Sequence, residues 1–266
     1  MITHKSIGYN GRLGNQMFQY AALKAVSLKT GFDFSLPDHR IPKHDAAFDF
    51  TNNKWISVKL DLLECFNLNC KIYNNSNFEN QYSEKDFTFD PAIFSITDNT
   101  TIKGYFQSYK YFKDYEVEIK KDFQFKFDIL NKCSIEIAKY LNPVSVHIRR
   151  ADYVNHSGYW NITNEYIQKA LNQFTDREYT FLIFSDDIEW CKQIFPEGVV
   201  FIEGNNQFED LCLMSLCTHN IISNSTYSWW GAYLNSNESK KVIAPANWFI
   251  PAKSLIDLYP PDWVQF

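Results

Sequence analysis

Two adjacent arginines, Arg149 and Arg150, follow a short apolar run at 144–148, and the carboxylate Asp152 lies two residues beyond them. The run alternates β-branched residues and is expected to form a buried strand. Guanidinium groups at the end of such a strand lose hydration, and their planar donors match phosphate oxygens two at a time. The segment therefore indicates an anion site. The alternative is a surface arginine pair bound to Asp152 or to glutamates elsewhere, and an isolated Arg-Arg pair would favour it.

Polar segments also follow two further strand-like runs. Ser185, Asp186 and Asp187 come after the run at 179–184, and a hydroxyl-rich segment at 223–228 follows the run at 220–222. Strand-like runs alternate with helical patterns throughout this half of the chain, which predicts a parallel sheet with right-handed crossovers. Because ligands bind at the carboxyl ends of parallel strands, we expect the three polar segments to lie together at one edge.

The three segments together suit a nucleoside diphosphate. The arginines can neutralise two phosphates, and hydroxyl groups beside a helix amino terminus also favour anions. Asp186 or Asp187 can accept a hydrogen bond from an exocyclic amine such as that of guanine. Taken singly, each segment has a structural alternative: 223–226 as an ordinary N-cap, and one aspartate as the cap of a helix at 188–194.

The amino-terminal segment combines glycines with the start of a helix. Gly8, Gly11 and Gly14 precede a helical pattern of apolar residues that continues to residue 23. A glycine-rich turn that leads into a helix can bring backbone N–H groups to a ligand. The glycine spacing fits neither the dinucleotide-binding nor the P-loop fingerprint, so the segment alone is a weak signal.

The regularity of the sequence changes along the chain. Residues 31–140 show few clean periodicities apart from an expected helix at 109–115, whereas the second half is regular. We therefore divide the chain into a less regular amino-terminal lobe, 1–140, and a regular lobe, 141–266.

Composition excludes several classes of protein. The net charge is −5, from 26 basic and 31 acidic residues without a long basic run, which argues against a nucleic-acid-binding protein. No window approaches the roughly 18 apolar residues of a membrane span, and no signal pattern is apparent at the start of the sequence. We expect a cytoplasmic protein with reduced cysteines, and peripheral association with a membrane stays open.

The sequence predicts no metal and no cofactor. It contains no Asp-x-Asp pattern, which many sugar-nucleotide enzymes use to bind a divalent cation, and its histidines show no ligand spacing. If arginines bind the diphosphate, a metal is not required for that purpose.

Four segments resemble the α-1,2-fucosyltransferase family, which is glycosyltransferase family 11. They follow the family's order and span nearly the whole chain: Gly-Arg-Leu-Gly-Asn-Gln-Met-Phe-Gln-Tyr-Ala at 11–21, Val-His-Ile-Arg-Arg-Ala-Asp-Tyr at 146–153, Phe-Ser-Asp-Asp with Trp-Cys at 184–191, and Ile-Ser-Asn-Ser-Thr-Tyr-Ser-Trp-Trp-Gly-Ala-Tyr-Leu at 222–234. One difference is Ala151, where the family usually has glycine.

The resemblance implies an α/β fold of the GT-B type, with two Rossmann-type lobes that contain parallel sheets. It also implies inverting, metal-independent transfer of L-fucose from GDP-β-L-fucose to the 2-hydroxyl of a galactose residue. The expected partners are GDP-fucose and a galactose-containing oligosaccharide or polysaccharide precursor. Lobe 1–140 would be the acceptor side, and lobe 141–266 would bind the GDP-sugar.

The resemblance also assigns roles to residues. In the family the second arginine of the pair, here Arg150, holds the diphosphate, and we expect it to stabilise charge on the leaving group with support from Arg149. His147 matches the motif histidine, and strand packing beneath the arginines is its alternative role. Asp152 completes the predicted catalytic group. The predicted donor-binding residues are Arg150, Asp186, Asp187, Asn224, Ser225, Thr226, Ser228, Gly14 and Asn15.

Contacts to the acceptor are expected from Gln16 and His156. The general base is not identified, because Asp152 can instead orient the arginines, His156 follows on the same loop and Glu165 lies further away.

Two alternatives to this function stay open. A fucosyltransferase of another linkage or sugar nucleotide would also carry an Arg-Arg-x-Asp pattern, which α-1,6- and protein O-fucosyltransferases contain less completely. A catalytically inactive glycan-binding protein would suit the 17% aromatic content. It would have no reason to keep the arginine pair and the serine-rich helix start together.

Overall fold

The computed structural model describes residues 1–9, 11–38, 47–49, 54–56, 60–68, 70–73, 77–150, 153–154, 156–249 and 257–266. The chain forms two compact units. The amino-terminal unit comprises Met1–Gln124 with Ser254–Pro260, and the carboxyl-terminal unit comprises Phe125–Lys253 with Pro261–Phe266. All six cysteines are among the described residues, and none forms a disulfide bond.

The amino-terminal unit is built on a five-stranded parallel sheet. Its helices and strands are β1 (Ile2–His4), α1 (Leu13–Thr30), β2 (Phe34–Pro37), β3 (Ala47–Asp49), β4 (Lys54–Ile56), α2 (Leu62–Cys65), β5 (Lys71–Tyr73), β6 (Asn80–Ser83), β7 (Thr100–Lys103) and α3 (Glu116–Asp122). The strand order is β5-β2-β1-β7-β6, and β3 pairs separately with β4 as an antiparallel hairpin. This regular sheet lies within a region whose sequence shows little periodicity.

The glycine-rich turn leads into α1, as the sequence predicts. Arg12 occupies the N-cap position, and Gly31 ends the helix with φ 76° while its N–H donates to the Ser27 carbonyl at 2.8 Å. Gly11 has φ 90°, and a Cβ built on it would lie 2.2 Å from Nδ2 of Asn15. Glycine is therefore required at position 11, both for the backbone conformation and for the approach of the Asn15 side chain.

The expected helix at 109–115 is wrong. The structure has two short 3₁₀ turns there, Tyr109–Tyr111 and Lys113–Tyr115. The Ser108 hydroxyl accepts from the N–H of Lys110 and starts the first turn, but Phe112 has φ −134° and leaves the helical region. An α-helix forms only after this interruption, at α3.

The carboxyl-terminal unit is built on a six-stranded parallel sheet. Its helices and strands are α4 (Phe127–Ile137), β8 (Pro143–Ile148), α5 (Asn164–Leu171), β9 (Thr180–Ser185), α6 (Ile188–Ile194), β10 (Val200–Phe201), α7 (Gln207–Leu216), β11 (His219–Ile221), α8 (Thr226–Leu234), β12 (Val242–Ala244) and β13 (Val264–Gln265). The strand order is β10-β9-β8-β11-β12-β13. The alternation of strands and helices predicted for this half is confirmed.

Helix α4 belongs to the carboxyl-terminal unit because it packs on α7. Lys132 of α4 forms an ion pair with Glu209 at 2.7 Å, and the Cys133 thiol lies 3.4 Å from the Glu209 carbonyl oxygen. The structure thus divides the chain before α4, whereas the sequence analysis divides it after residue 140.

Tyr166 of α5 connects the core to the strand ends that form the candidate site. Its ring is buried, and its hydroxyl lies 2.6 Å from the carbonyl oxygen of Ile222 and 3.2 Å from that of Ile243. Burial raises the pKa of this hydroxyl, so it stays a donor at neutral pH.

Tyr166→Phe is expected to lower the free energy of unfolding by about 1–2 kcal/mol, because a buried carbonyl loses its partner. The matched control is Tyr179→Phe, whose hydroxyl binds Asp176 at the surface and should contribute little. Urea unfolding measures both variants, and equal effects would contradict the assigned role of the Tyr166 hydroxyl.

Candidate active site at the carboxyl edge of the second sheet

Strands β9, β8 and β11 are neighbours in the carboxyl-terminal unit and run parallel. Ile148 at the end of β8 is opposite Ser185 at the end of β9, and Val146 is opposite Ile221 of β11. The loops that follow these strands therefore emerge at one edge of the sheet, as the sequence predicts.

Arg149 and Arg150 bind the two aspartates that follow β9. Nη1 of Arg149 lies 2.6 Å from Oδ2 of Asp186, and the backbone N–H of Arg150 donates to Oδ1 of the same carboxylate at 2.8 Å. Nε of Arg150 donates to Oδ2 of Asp187 at 3.2 Å. The arginine side chains are only 17% and 18% exposed. The carboxylates balance their charge and fix their position at the edge of the sheet.

Aromatic rings fix the guanidinium planes further. The guanidinium carbon of Arg150 lies 3.7 Å from the ring centroid of Trp190 in α6, and that of Arg149 lies 5.5 Å from the ring of Tyr153. A ring at this distance attracts the cation and restricts its rotation. Trp190 has no predicted role from the sequence, although its position three residues after Asp187 places it one helical turn away.

The Nη groups of Arg150 have no partner within the described part of the chain. Nε is bound to Asp187, and one face of the guanidinium is covered by Trp190. The group is thus oriented while two of its nitrogens stay available, which is the arrangement that bidentate recognition of a phosphate requires.

Asp187 also caps α6, because its side chain accepts from the N–H of Trp190 at 3.3 Å. The alternative role that the sequence left open for one of the two aspartates, capping of the following helix, is therefore observed for Asp187. Asp186 and Asp187 were expected to contact the donor, and the structure places their carboxylates against the arginines. A contact of either with a nucleobase stays a prediction.

The loop after β11 brings a set of buried hydroxyl groups to α8. Ser225 is the N-cap residue by position but makes no capping hydrogen bond with its side chain, so the ordinary N-cap alternative is wrong in that respect. The Ser228 hydroxyl donates to the Ser225 carbonyl at 3.2 Å and lies 3.5 Å from the Ser223 hydroxyl. Thr226 begins the helix and is half-buried.

Asn224 holds the same loop in place. Its Nδ2 donates to the carbonyl oxygens of Trp160 at 2.8 Å and Trp248 at 3.0 Å, and the residue is fully buried. Its Oδ1 has no hydrogen-bond partner among the described residues. The side-chain amide nitrogen thus binds the loop to neighbouring segments. Only Oδ1 is available for the predicted contact with the GDP-sugar.

His147 lies beneath the site on β8. Its Nδ1 is 2.7 Å from the Ser223 hydroxyl, and its ring lies 5.6 Å from that of Tyr227. Burial lowers the pKa of His147 to about 3, and the charge of Arg149 contributes in the same direction. A neutral, buried imidazole of this kind is a poor proton acceptor, so the geometry favours the packing role over a direct role in catalysis.

Of the remaining predicted residues, Gly14, Asn15 and Gln16 belong to the amino-terminal unit and His156 to the carboxyl-terminal unit. Gly14 and Gln16 are buried in α1 of the amino-terminal unit, and Oδ1 of Asn15 accepts from Nε2 of Gln107 at 2.8 Å. His156 is exposed, and its Nδ1 accepts from the N–H of Gly158 at 3.0 Å. Asp152 lies outside the described residues. The roles of these five residues stay predictions.

Within the part of the chain that the structure covers, no cluster of three His, Cys, Asp or Glu side chains could hold a metal ion. Among the described helices, none combines the length and hydrophobicity that a bilayer span requires.

Comparison with known protein families gives a match over almost the full length. The profile of the family described as glycosyl transferase family 11 matches residues 2–266. An alpha-1,2-colitosyltransferase of Escherichia coli is 31% identical over 96% of this chain and 96% of its own length. The O-antigen biosynthesis glycosyltransferase WbnK of the same species is 30% identical over 90% and 93%. The pig galactoside alpha-(1,2)-fucosyltransferase 2 is 25% identical over 95% and 75%.

Solved structures give the same fold at low identity. The fucosyltransferase NodZ from Bradyrhizobium superposes with a TM-score of 0.52 at 11% identity, over 86% of this chain and 91% of its own. POFUT1 in complex with GDP-fucose superposes with a TM-score of 0.52 at 11% identity, over 91% and 97%. The GT-B-like α/β fold that the sequence resemblance implies is confirmed.

Proposed function

The chain belongs to glycosyltransferase family 11, and on that basis we propose that it moves L-fucose from GDP-β-L-fucose to the 2-hydroxyl of a galactose residue. The transfer inverts the configuration at the sugar carbon. Arginine charge takes the part that a divalent metal plays in other sugar-nucleotide enzymes. The acceptor is a galactose-containing oligosaccharide or polysaccharide precursor.

The observation that carries this proposal is the orientation of Arg150. Asp187 and Trp190 fix its guanidinium, and its Nη groups have no partner among the described residues. Charge builds on the β-phosphate as the glycosidic bond breaks, and a cation that is already oriented stabilises it without reorganisation. Arg149, held by Asp186, supports Arg150 from the adjacent position.

The fucosyl group becomes cation-like as GDP leaves. The acceptor hydroxyl forms the new C–O bond on the opposite face while the bond to the phosphate breaks, and this accounts for inversion. The hydroxyl loses its proton in the same step, and Asp152 and His156 on the loop after β8 are the candidates to accept it. His147, with a pKa of about 3, supports the loop that carries Ser223.

The relatives favour a second candidate for the donor sugar. The alpha-1,2-colitosyltransferase is 31% identical, and colitose is L-fucose without its 3-hydroxyl group. A site that forms a hydrogen bond with this hydroxyl strongly rejects colitose, which lacks it. A site built for colitose rejects fucose less strongly. GDP-fucose and GDP-colitose, the two donors to compare, differ at this one position of the sugar.

The relatives also bear on the acceptor and the location. WbnK is described as an O-antigen biosynthesis glycosyltransferase, which supports a polysaccharide precursor as the acceptor. We propose that the chain acts in the cytoplasm, where sugar nucleotides are available, with its acceptor at the membrane surface.

Donor binding and linkage test the proposal. GDP-fucose at about 100 times its dissociation constant should stabilise the protein by about 2.7 kcal/mol. This corresponds to about 5–11 °C in Tm for a unit of 150–250 residues, and UDP-galactose should have no effect. A galactoside panel with GDP-fucose and GDP-colitose then compares the donors by kcat/KM, with the linkage read by NMR.

The experiment distinguishes four outcomes. An α-1,2 bond to galactose with GDP-fucose preferred supports the proposal, and a preference for GDP-colitose replaces the donor sugar. A bond at another position contradicts the proposed linkage. Glycan binding without any effect of GDP would instead identify a glycan-binding protein without activity.

A further inference from the structure

A cleft of about 340 Å³ opens in the amino-terminal unit. Residues 83–87 and 103–105 line the cleft. Ser83 and Lys103 end β6 and β7 and are opposite each other, so the cleft lies at the carboxyl edge of the first sheet. This is the edge at which parallel α/β sheets bind ligands.

One wall of the cleft is held in a strained conformation. Phe106 has φ +52°, a left-handed conformation that a bulky residue rarely adopts. The Glu84 carboxylate accepts from the N–H of Tyr105 at 2.7 Å and from that of Phe106 at 2.9 Å. Both carboxylate oxygens are thus used to keep the turn in place.

The same turn is fixed from below. The Gly104 carbonyl accepts from Nε2 of His4 at 2.9 Å and from Nε2 of Gln19 at 3.2 Å. A Cβ built on Gly104 would lie 2.4 Å from Cβ of Glu84, so the carboxylate side chain packs directly on the glycine. Strain of this kind persists where the surrounding structure over-determines it, and it concentrates at ligand sites.

The strained turn presents Tyr105 at the cleft. Its side chain is 37% exposed although the adjacent Phe106 is fully buried against His4 and Tyr111. A half-exposed aromatic ring that a rigid backbone holds still can bind the apolar face of a sugar ring at low entropic cost.

The charged side chains that line the cleft indicate what kind of ligand it can bind. Glu84 and Asp86 carry two negative charges, and Lys85 and Lys103 carry two positive charges. Their sum is neutral, so the cleft offers no net attraction to a diphosphate. Carboxylate, ammonium and hydroxyl groups beside aromatic rings instead suit a neutral ligand with several hydroxyl groups.

We propose that this cleft binds a pyranose ring of the acceptor glycan, with Tyr105 beneath the ring. The inference deepens the proposed glycosyl transfer and rests on it. It gives the acceptor a binding residue that the sequence analysis did not identify, in a part of the chain without clear periodicity.

Tyr105→Ala should raise the KM for a galactoside acceptor such as lactose about tenfold, which is about 1.4 kcal/mol of binding. The KM for GDP-fucose and its slow hydrolysis without acceptor should not change. Tyr105→Phe keeps the ring and should stay near the wild type. Phe127→Ala removes a 76% exposed aromatic ring of the other unit and serves as the matched control.

Saturation-transfer NMR with lactose measures the cleft without any need for turnover. Contacts of lactose that Tyr105→Ala removes and Tyr105→Phe retains support the proposal, even if the wild type transfers no sugar. An unchanged KM and unchanged NMR contacts in Tyr105→Ala, in a protein of normal Tm, would overturn it. If the wild-type protein neither binds nor hydrolyses GDP-fucose, the proposed function is contradicted. The NMR result then still tests the cleft.

Discussion

Arg150→Ala is expected to lower kcat by about 10²–10³, because the variant loses the oriented cation that stabilises charge on the leaving phosphate. The guanidinium is bound by Asp187 at Nε and covered by Trp190, whereas its Nη groups have no partner within the described residues. An interaction that strengthens as charge develops affects kcat more than donor binding. Steady-state kinetics with GDP-fucose and a galactoside acceptor measure the effect.

The fold of the variant should stay intact, because Arg150 lies at the edge of the sheet and is not part of the apolar core; the Tm of the variant checks this directly. Arg150→Lys keeps the charge but not the planar donors, and should recover only part of the activity. Arg177→Ala removes an exposed arginine that pairs with Asp176. It provides the matched control, because it changes the net charge by the same amount as Arg150→Ala. Turnover near the wild-type level in a folded Arg150→Ala protein would remove Arg150 from the mechanism.

Trp190→Leu tests the support of Arg150 in the same assay. The variant keeps an apolar side chain of α6 but removes the ring that lies 3.7 Å from the guanidinium carbon. We expect a smaller loss of kcat than for Arg150→Ala, because cation–π contacts contribute about 0.5–2 kcal/mol. A loss equal to that of Arg150→Ala would indicate a direct role of Trp190.

The parallel sheet of the carboxyl-terminal unit could be predicted from sequence because its central strands, β8 and β11, are buried along their whole length. All residues of β8 are buried, and its β-branched residues Val144, Val146 and Ile148 make the strand recognisable in the sequence. The amino-terminal sheet contains strands with mostly exposed residues, such as β6. In the same unit, the backbone conformation of Phe112 ends the first 3₁₀ turn. Tertiary contacts determine these elements, and the local pattern of apolar residues does not.

The site shows the same distinction. The arginine and aspartate pairs follow directly from strand ends, so their proximity could be predicted from chain order. The positions of Trp190 and Tyr105 could not, because they depend on side-chain packing and on a left-handed turn that Glu84 stabilises. Chain order places the arginines and the aspartates at one edge of the sheet, but it does not reveal that the two pairs form ion pairs with each other.

Stability below neutral pH provides a further test of the site, through His147. Its pKa is about 3 in the folded protein and 6.5 in the unfolded reference, so between these values the unfolded chain binds one more proton than the folded one. Stability is therefore complete above pH 6.5 and falls as the pH decreases, by about 1.4 kcal/mol per pH unit. At pH 5 the loss from His147 amounts to about 2 kcal/mol by the same relation.

The variant His147→Asn isolates this contribution. Its amide nitrogen can replace Nδ1 in the bond to Ser223, and the side chain does not titrate. Asp210 acts in the opposite direction, because burial raises its pKa to about 6 and acid relieves the cost, but it is present in both proteins and cancels. Urea unfolding of the carboxyl-terminal unit should show a weaker pH dependence below 6.5 in the variant, even though lost packing lowers its stability at pH 7.5. Equal slopes would mean that His147 binds a proton within the folded protein, and the imidazole beneath the arginines would then be charged rather than neutral.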